Sequence, residues 1–133
     1  MMAVSIAMAL ALIEYMVLGF LVGRARGTYH VDAPAISGDP MFERYFRVHQ
    51  NTMEQLIIFV PAMLLFAFFV NPRAAALLGL LFVVARIVYA RGYLEDPKKR
   101  SAGARLTFIV LAILVLGALF GAATTMVRAH GWF

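Results

Sequence analysis

The sequence predicts an all-α integral membrane protein, a bundle of four transmembrane helices. Two observations carry this. Of 133 residues, 63% are hydrophobic and the mean hydropathy is +0.85, where soluble domains are roughly half apolar. The apolar residues also fall into four runs, each near the roughly 20 residues that a helix needs to cross a bilayer. None alternates as a strand does, which excludes a β-barrel. No internal repeat or low-complexity linker interrupts the chain, so residues 1–133 read as one domain.

The first helix is expected over about residues 3–23, ending at Gly23 and Arg24. No basic residue precedes its apolar core, and that core exceeds the roughly 7–15 residues of a signal peptide. It therefore reads as a retained span. The second helix runs from about 42 to 70 and stops at Asn71-Pro72, where proline cannot continue a helix. Pro61, inside it, predicts a kink. The third helix is expected over about 73–94 and the fourth over about 105–128. The first loop, Arg24 to Met41, holds Gly27, Pro34, Gly38 and Pro40 and is irregular. The link between the second and third helices is two residues long, which makes them antiparallel neighbours.

Charge sets the expected topology. Of the twelve Lys and Arg residues, ten flank the first and third loops: Arg24, Arg26, Arg44, Arg47, Arg86, Arg91, Lys98, Lys99, Arg100 and Arg105. Only Arg73 and Arg128 lie elsewhere. By the positive-inside rule, loops one and three are cytoplasmic and both termini lie outside. The net charge of +5 is thus a loop property, and no nucleic-acid partner is expected. There is no cysteine, so any reactive thiol must arrive with a substrate. His30 and His130 have no partner at metal-ligand spacing, and no metal is expected. His130 with Trp132 reads as an interfacial anchor.

The polar residues at the basic end form a pattern. Arg47, Asn51 and Glu54 are spaced i, i+4 and i+7 on the second helix and share one face, flanked by Arg44 and Gln55. Arg86, Tyr89 and Tyr93 are spaced i, i+3 and i+7 on the third. Two neighbouring helices then present both faces to one cleft. Arginine binds carboxylates through a planar fork and keeps its charge. Glu54 suits an ammonium group and the amides suit a peptide backbone. The inventory fits a small zwitterion with more than one carboxylate. Taken singly, Arg44 and Arg47 read as snorkelling side chains and the tyrosines as an interfacial belt. Asn51 and Glu54 lie deeper, where polar groups are functional by default. A structural Arg47–Glu54 bridge is the plain alternative. Glu14, near the middle of the first helix, is a second intramembrane acid.

The run Phe42-Glu43-Arg44-x-x-Arg47-x-x-x-Asn51-x-x-Glu54, followed by Ala85-Arg86-Ile87-Val88-Tyr89 and Gly92-Tyr93, resembles the signature of the MAPEG family, the membrane-associated proteins in eicosanoid and glutathione metabolism. The likeness covers nearly the whole chain. It implies a homotrimer with glutathione, a co-substrate, bound between subunits near the cytoplasmic side. Carried over by position, Arg47, Asn51, Glu54, Arg86, Tyr89 and Tyr93 would hold the peptide, with Arg26 reaching in from the neighbouring subunit. Gln55 stands where some members have tyrosine, and His49 matches a histidine of others. The thiolate-stabilising arginine of the family falls on Arg100, with Arg105 in reserve. Gly27 replaces an arginine found in the members that make leukotriene C4, which argues against that activity. The short chain is more like bacterial members, implying an inner membrane with periplasmic termini.

The expected function is therefore a membrane-embedded glutathione transferase, with peroxidase chemistry also open to it. It would conjugate the thiolate to an apolar electrophile arriving from the lipid. One alternative is a non-catalytic relative that binds a lipid. Another is a small proton-coupled multidrug transporter built on Glu14, although such proteins lack the arginine cluster and the long first loop.

Overall fold

A computed structural model describes residues 1–131. Four long helices make up the fold: α1 (Met2–Tyr29), α2 (Pro40–Phe69), α3 (Pro72–Glu95) and α4 (Ser101–Ala129). A 3₁₀ turn, Pro97–Arg100, leads into α4. Each helix is long and apolar enough to cross a membrane. Trp132 lies outside the described residues.

The expected boundaries move for identifiable reasons. α1 continues past Gly23 through Arg24 and Arg26 to Tyr29. The apolar run ends at Gly23, but the helix does not. His30 closes it in the left-handed conformation at φ 54°, and Val31 N–H donates to Arg26 O at 3.1 Å. α2 begins at Pro40, because Asp39 caps it by accepting from the Met41 and Phe42 amides at 2.8 and 3.0 Å. Proline is suited to the first helical position, where its missing N–H is no loss. The same device opens α3. Asn71 accepts from the Arg73 and Ala74 amides, and Pro72 starts the helix. The proline that stops α2 thus also starts α3. α4 begins at Ser101, earlier than about 105, since Gly103 does not break it. Pro61 lies inside an α2 that remains helical to Phe69.

α2 and α3 form the centre of the bundle, with α1 and α4 each packed against both of them. Phe59 and Phe82 stack with centroids 3.9 Å apart and planes at 9°, and both are fully buried. Small residues let the backbones approach, as membrane bundles require when lipid offers no hydrophobic contrast. A Cβ on Gly79 would stand 2.6 Å from Met63 Cε and 2.9 Å from Ala7 Cβ. One on Gly103 would stand 2.3 Å from the Tyr89 backbone nitrogen. The loop after α1 and the turn after α3 lie at the same end, where Arg44 of α2 donates to the Leu94 and Glu95 carbonyls, each at 3.1 Å.

Candidate functional site

At that basic end, α2, α3 and α4 enclose a cleft of about 610 Å³, within the usual range for small-molecule sites. α2 supplies Arg47, Gln50, Asn51, Glu54 and Gln55; α3 supplies Arg86, Tyr89 and Tyr93. Arg100, Ala104, Thr107 and Phe108 complete the wall from the start of α4. Helical spacing therefore assembled one wall from each helix, as the i, i+4, i+7 pattern requires.

The cleft floor is a hydrogen-bonded relay. Arg86 is 1% exposed. It donates to the Thr52 hydroxyl at 2.8 Å and to Asn51 Oδ1 at 3.2 Å. Its guanidinium lies 4.0 Å from the Tyr89 ring centroid, a favourable cation–π geometry. Asn51 then donates to Glu54 Oε2 at 3.4 Å. Arg86 thus orients the carboxylate wall from beneath, while Arg47 and Glu54 are exposed and free to meet a ligand. The structural Arg47–Glu54 bridge does not form: among the described residues the ion pair is Lys99–Glu95, in the turn.

Of the two candidate arginines at α4, the cleft includes Arg100 and excludes Arg105, which is exposed elsewhere on the surface. The Arg100 guanidinium lies 5.5 Å from the Tyr93 ring centroid. Arg26 is held at the loop-one end, donating to Val31 O at 3.3 Å and Ala35 O at 2.7 Å, with its guanidinium 4.8 Å from the Phe42 ring centroid. It does not line this chain's cleft. Neither does His49, whose ring stacks on Tyr15 of α1 at 4.3 Å. Glu14 also lies apart. Its two carboxylate oxygens are buried without a hydrogen-bond partner among the described residues, and Arg86 is its charged neighbour.

Thr52 escaped the sequence reading. It falls one position beyond the polar face, where periodicity assigns it to packing. Only the long-range contact with Arg86 reveals its role. Gln50, one turn from Arg47 and from Glu54, could have been read from the same helical spacing, whereas Thr107 and Phe108 enter the cleft only through the packing of α4.

The MAPEG family model matches residues 4–120. This chain belongs to the MAPEG family. It is similar to an uncharacterized protein of Synechocystis, 47% identical over 111 residues, covering 84% of this chain and 81% of that protein. Human microsomal glutathione S-transferase 2 is 38% identical over 109 residues, covering 82% and 74%. Rat leukotriene C4 synthase is 37% identical over 99 residues, covering 71% and 66%. The four apolar helices and MAPEG membership together identify a membrane protein. The α2 segment that carries the MAPEG signature supplies four of the cleft's lining side chains, Arg47, Gln50, Asn51 and Glu54, and the α3 segment supplies three.

Proposed function

We propose that this MAPEG protein is a membrane-embedded glutathione transferase. The observation that carries the reading is the convergence of Arg47, Asn51, Glu54, Gln55, Tyr93 and Arg100 on one cleft. Arg47 would hold a glutathione carboxylate, Glu54 the ammonium, and Asn51 and Gln55 the peptide groups. Arg86 and Tyr89 form the floor that fixes these contacts. Transferases among the relatives support this general chemistry.

Arg100 would face the thiol. A free thiol titrates near roughly 8.5, and an adjacent guanidinium favours the thiolate. The thiol proton passes to solvent. The sulfur lone pair then forms a C–S bond to the electrophile, whose leaving group departs with its bonding electrons. An apolar electrophile would enter from the lipid beside Ala104 and Phe108.

The exposure of Arg47 and Glu54 supports a homotrimer. A charged group that faces lipid is costly unless it is paired or shielded. A neighbouring subunit would shield this wall and bring its Arg26, and with it His49, towards the cleft. Each chain would act as a single four-helix unit, with its basic end in the cytoplasm and its termini in the periplasm of a bacterial inner membrane.

The test uses the detergent-solubilised protein. Calorimetry should show glutathione binding, and a chloronitrobenzene should be conjugated. Arg100→Ala should lower turnover about 100-fold or more, the usual effect of removing a preorganised group that stabilises developing charge, while Arg105→Ala leaves it unchanged. Absence of both binding and conjugation would overturn the reading.

A further inference from the structure

Arg44 belongs to the α2 signature yet does not line the cleft. Its Nη1 donates to Leu94 O and Glu95 O, each at 3.1 Å, fifty and fifty-one residues away. These carbonyls belong to the last turn of α3, where helix C=O groups have no partner of their own. A cation there also complements the negative end of the helix dipole. The contact joins the polar end of α2 to the exit of α3.

Beyond that exit the chain makes a short, tightly bonded turn. Asp96 N–H donates to Gly92 O at 2.9 Å, and Asp96 Oδ1 accepts from the Lys98 amide at 2.9 Å. Lys99 N–H donates to Asp96 O at 2.8 Å. The Lys99 side chain pairs with Glu95. The turn folds so closely over α3 that a Cβ on Gly92 would stand 2.6 Å from Lys99 O. The next residue is Arg100, the cleft arginine. Every residue between it and Glu95, whose carbonyl Arg44 grips, lies in this bonded turn.

We propose that Arg44 is a positioning residue, which by gripping the end of α3 sets the turn from which Arg100 reaches the cleft. The inference rests on the proposed role of Arg100. Arg44 and Arg47 stand one helical turn apart on α2, so one helix face both lines the cleft and anchors the group opposite. A register shift at the α3 exit would move Arg100 relative to Arg47 without altering the floor formed by Arg86, Thr52 and Asn51.

The experiment compares wild type, Arg44→Ala and Arg44→Lys in detergent. It measures glutathione affinity, kcat with a chloronitrobenzene, and the pH dependence of the thiolate ultraviolet band of bound glutathione. Arg44→Ala should lower kcat about tenfold and move the thiolate titration to higher pH, with glutathione affinity changed less than about threefold. Lysine keeps the charge but lacks the planar fork, and should restore part of both losses. If wild type binds no glutathione, the transferase reading fails before the variants are compared. If wild type binds it and Arg44→Ala leaves the thiolate band and kcat unchanged, or lowers affinity and kcat alike, the positioning role is wrong. Loss of folded protein in both variants also overturns it, since the contact would then serve folding only.

Discussion

Arg86 of α3 donates a 2.8 Å hydrogen bond to the Thr52 hydroxyl of α2, and each residue is 1% exposed. Thr52 in turn donates to Val48 O at 2.8 Å. The hydroxyl is thus a two-way connector, accepting from a buried cation and returning its own proton to the helix backbone. It holds Arg86 beneath Asn51, whose carbonyl takes a second bond from the same nitrogen.

Thr52→Val preserves shape and removes the acceptor. A buried guanidinium N–H then loses its shorter bond, which typically costs about 1–3 kcal/mol. The expected outcome is a lower melting temperature in detergent together with weaker glutathione binding. Thr52→Ser keeps the hydroxyl and should remain near wild type in both measurements.

Gly103 sets how closely α4 approaches α3. A Cβ there would meet the Tyr89 backbone at 2.3 and 2.5 Å, and rigid backbone does not yield. Gly103→Ala should separate the helices, lower thermal stability by several degrees and weaken ligand binding. Gly23 provides the control, with nothing among the described residues within 4 Å of its added Cβ. Gly23→Ala should stabilise by up to about 1 kcal/mol through helix propensity.

Glu14 is half-buried with both carboxylate oxygens enclosed, and it makes no ion pair within 4.0 Å with its charged neighbour Arg86, which is buried. Removing the acid alone takes away one negative charge near the buried Arg86. A double-mutant cycle of Glu14→Gln and Arg86→Met should give a coupling of roughly 0.5–3 kcal/mol in thermal or denaturant unfolding. Strict additivity would show that the two charges act independently.

Periodicity made the cleft wall legible because a helix face is a local property. Arg47, Asn51 and Glu54 need only α2 to share a side, and Arg86, Tyr89 and Tyr93 need only α3. The two-residue link made those helices neighbours. The choice between Arg100 and Arg105 depended on a 3₁₀ turn that hydropathy does not encode. The extension of α1 to Tyr29 was hidden because its last turns are polar, and polarity marks the end of a span rather than the end of a helix. The capping chemistry of Asp39-Pro40 is visible in the sequence and locates the start of α2 better than hydropathy does. Thr52 was invisible to any one-helix argument, since its partner lies thirty-four residues away.

The Asn71-Pro72 link works as a phase lock. Because Asn71 caps α3 directly where α2 ends, the rotation of one helix about its axis is tied to that of the other. An inserted residue would turn α3 by about 100° and carry Tyr89 and Tyr93 away from Asn51 at the opposite end of the bundle. The distant face of the protein thereby times the meeting of its two polar walls.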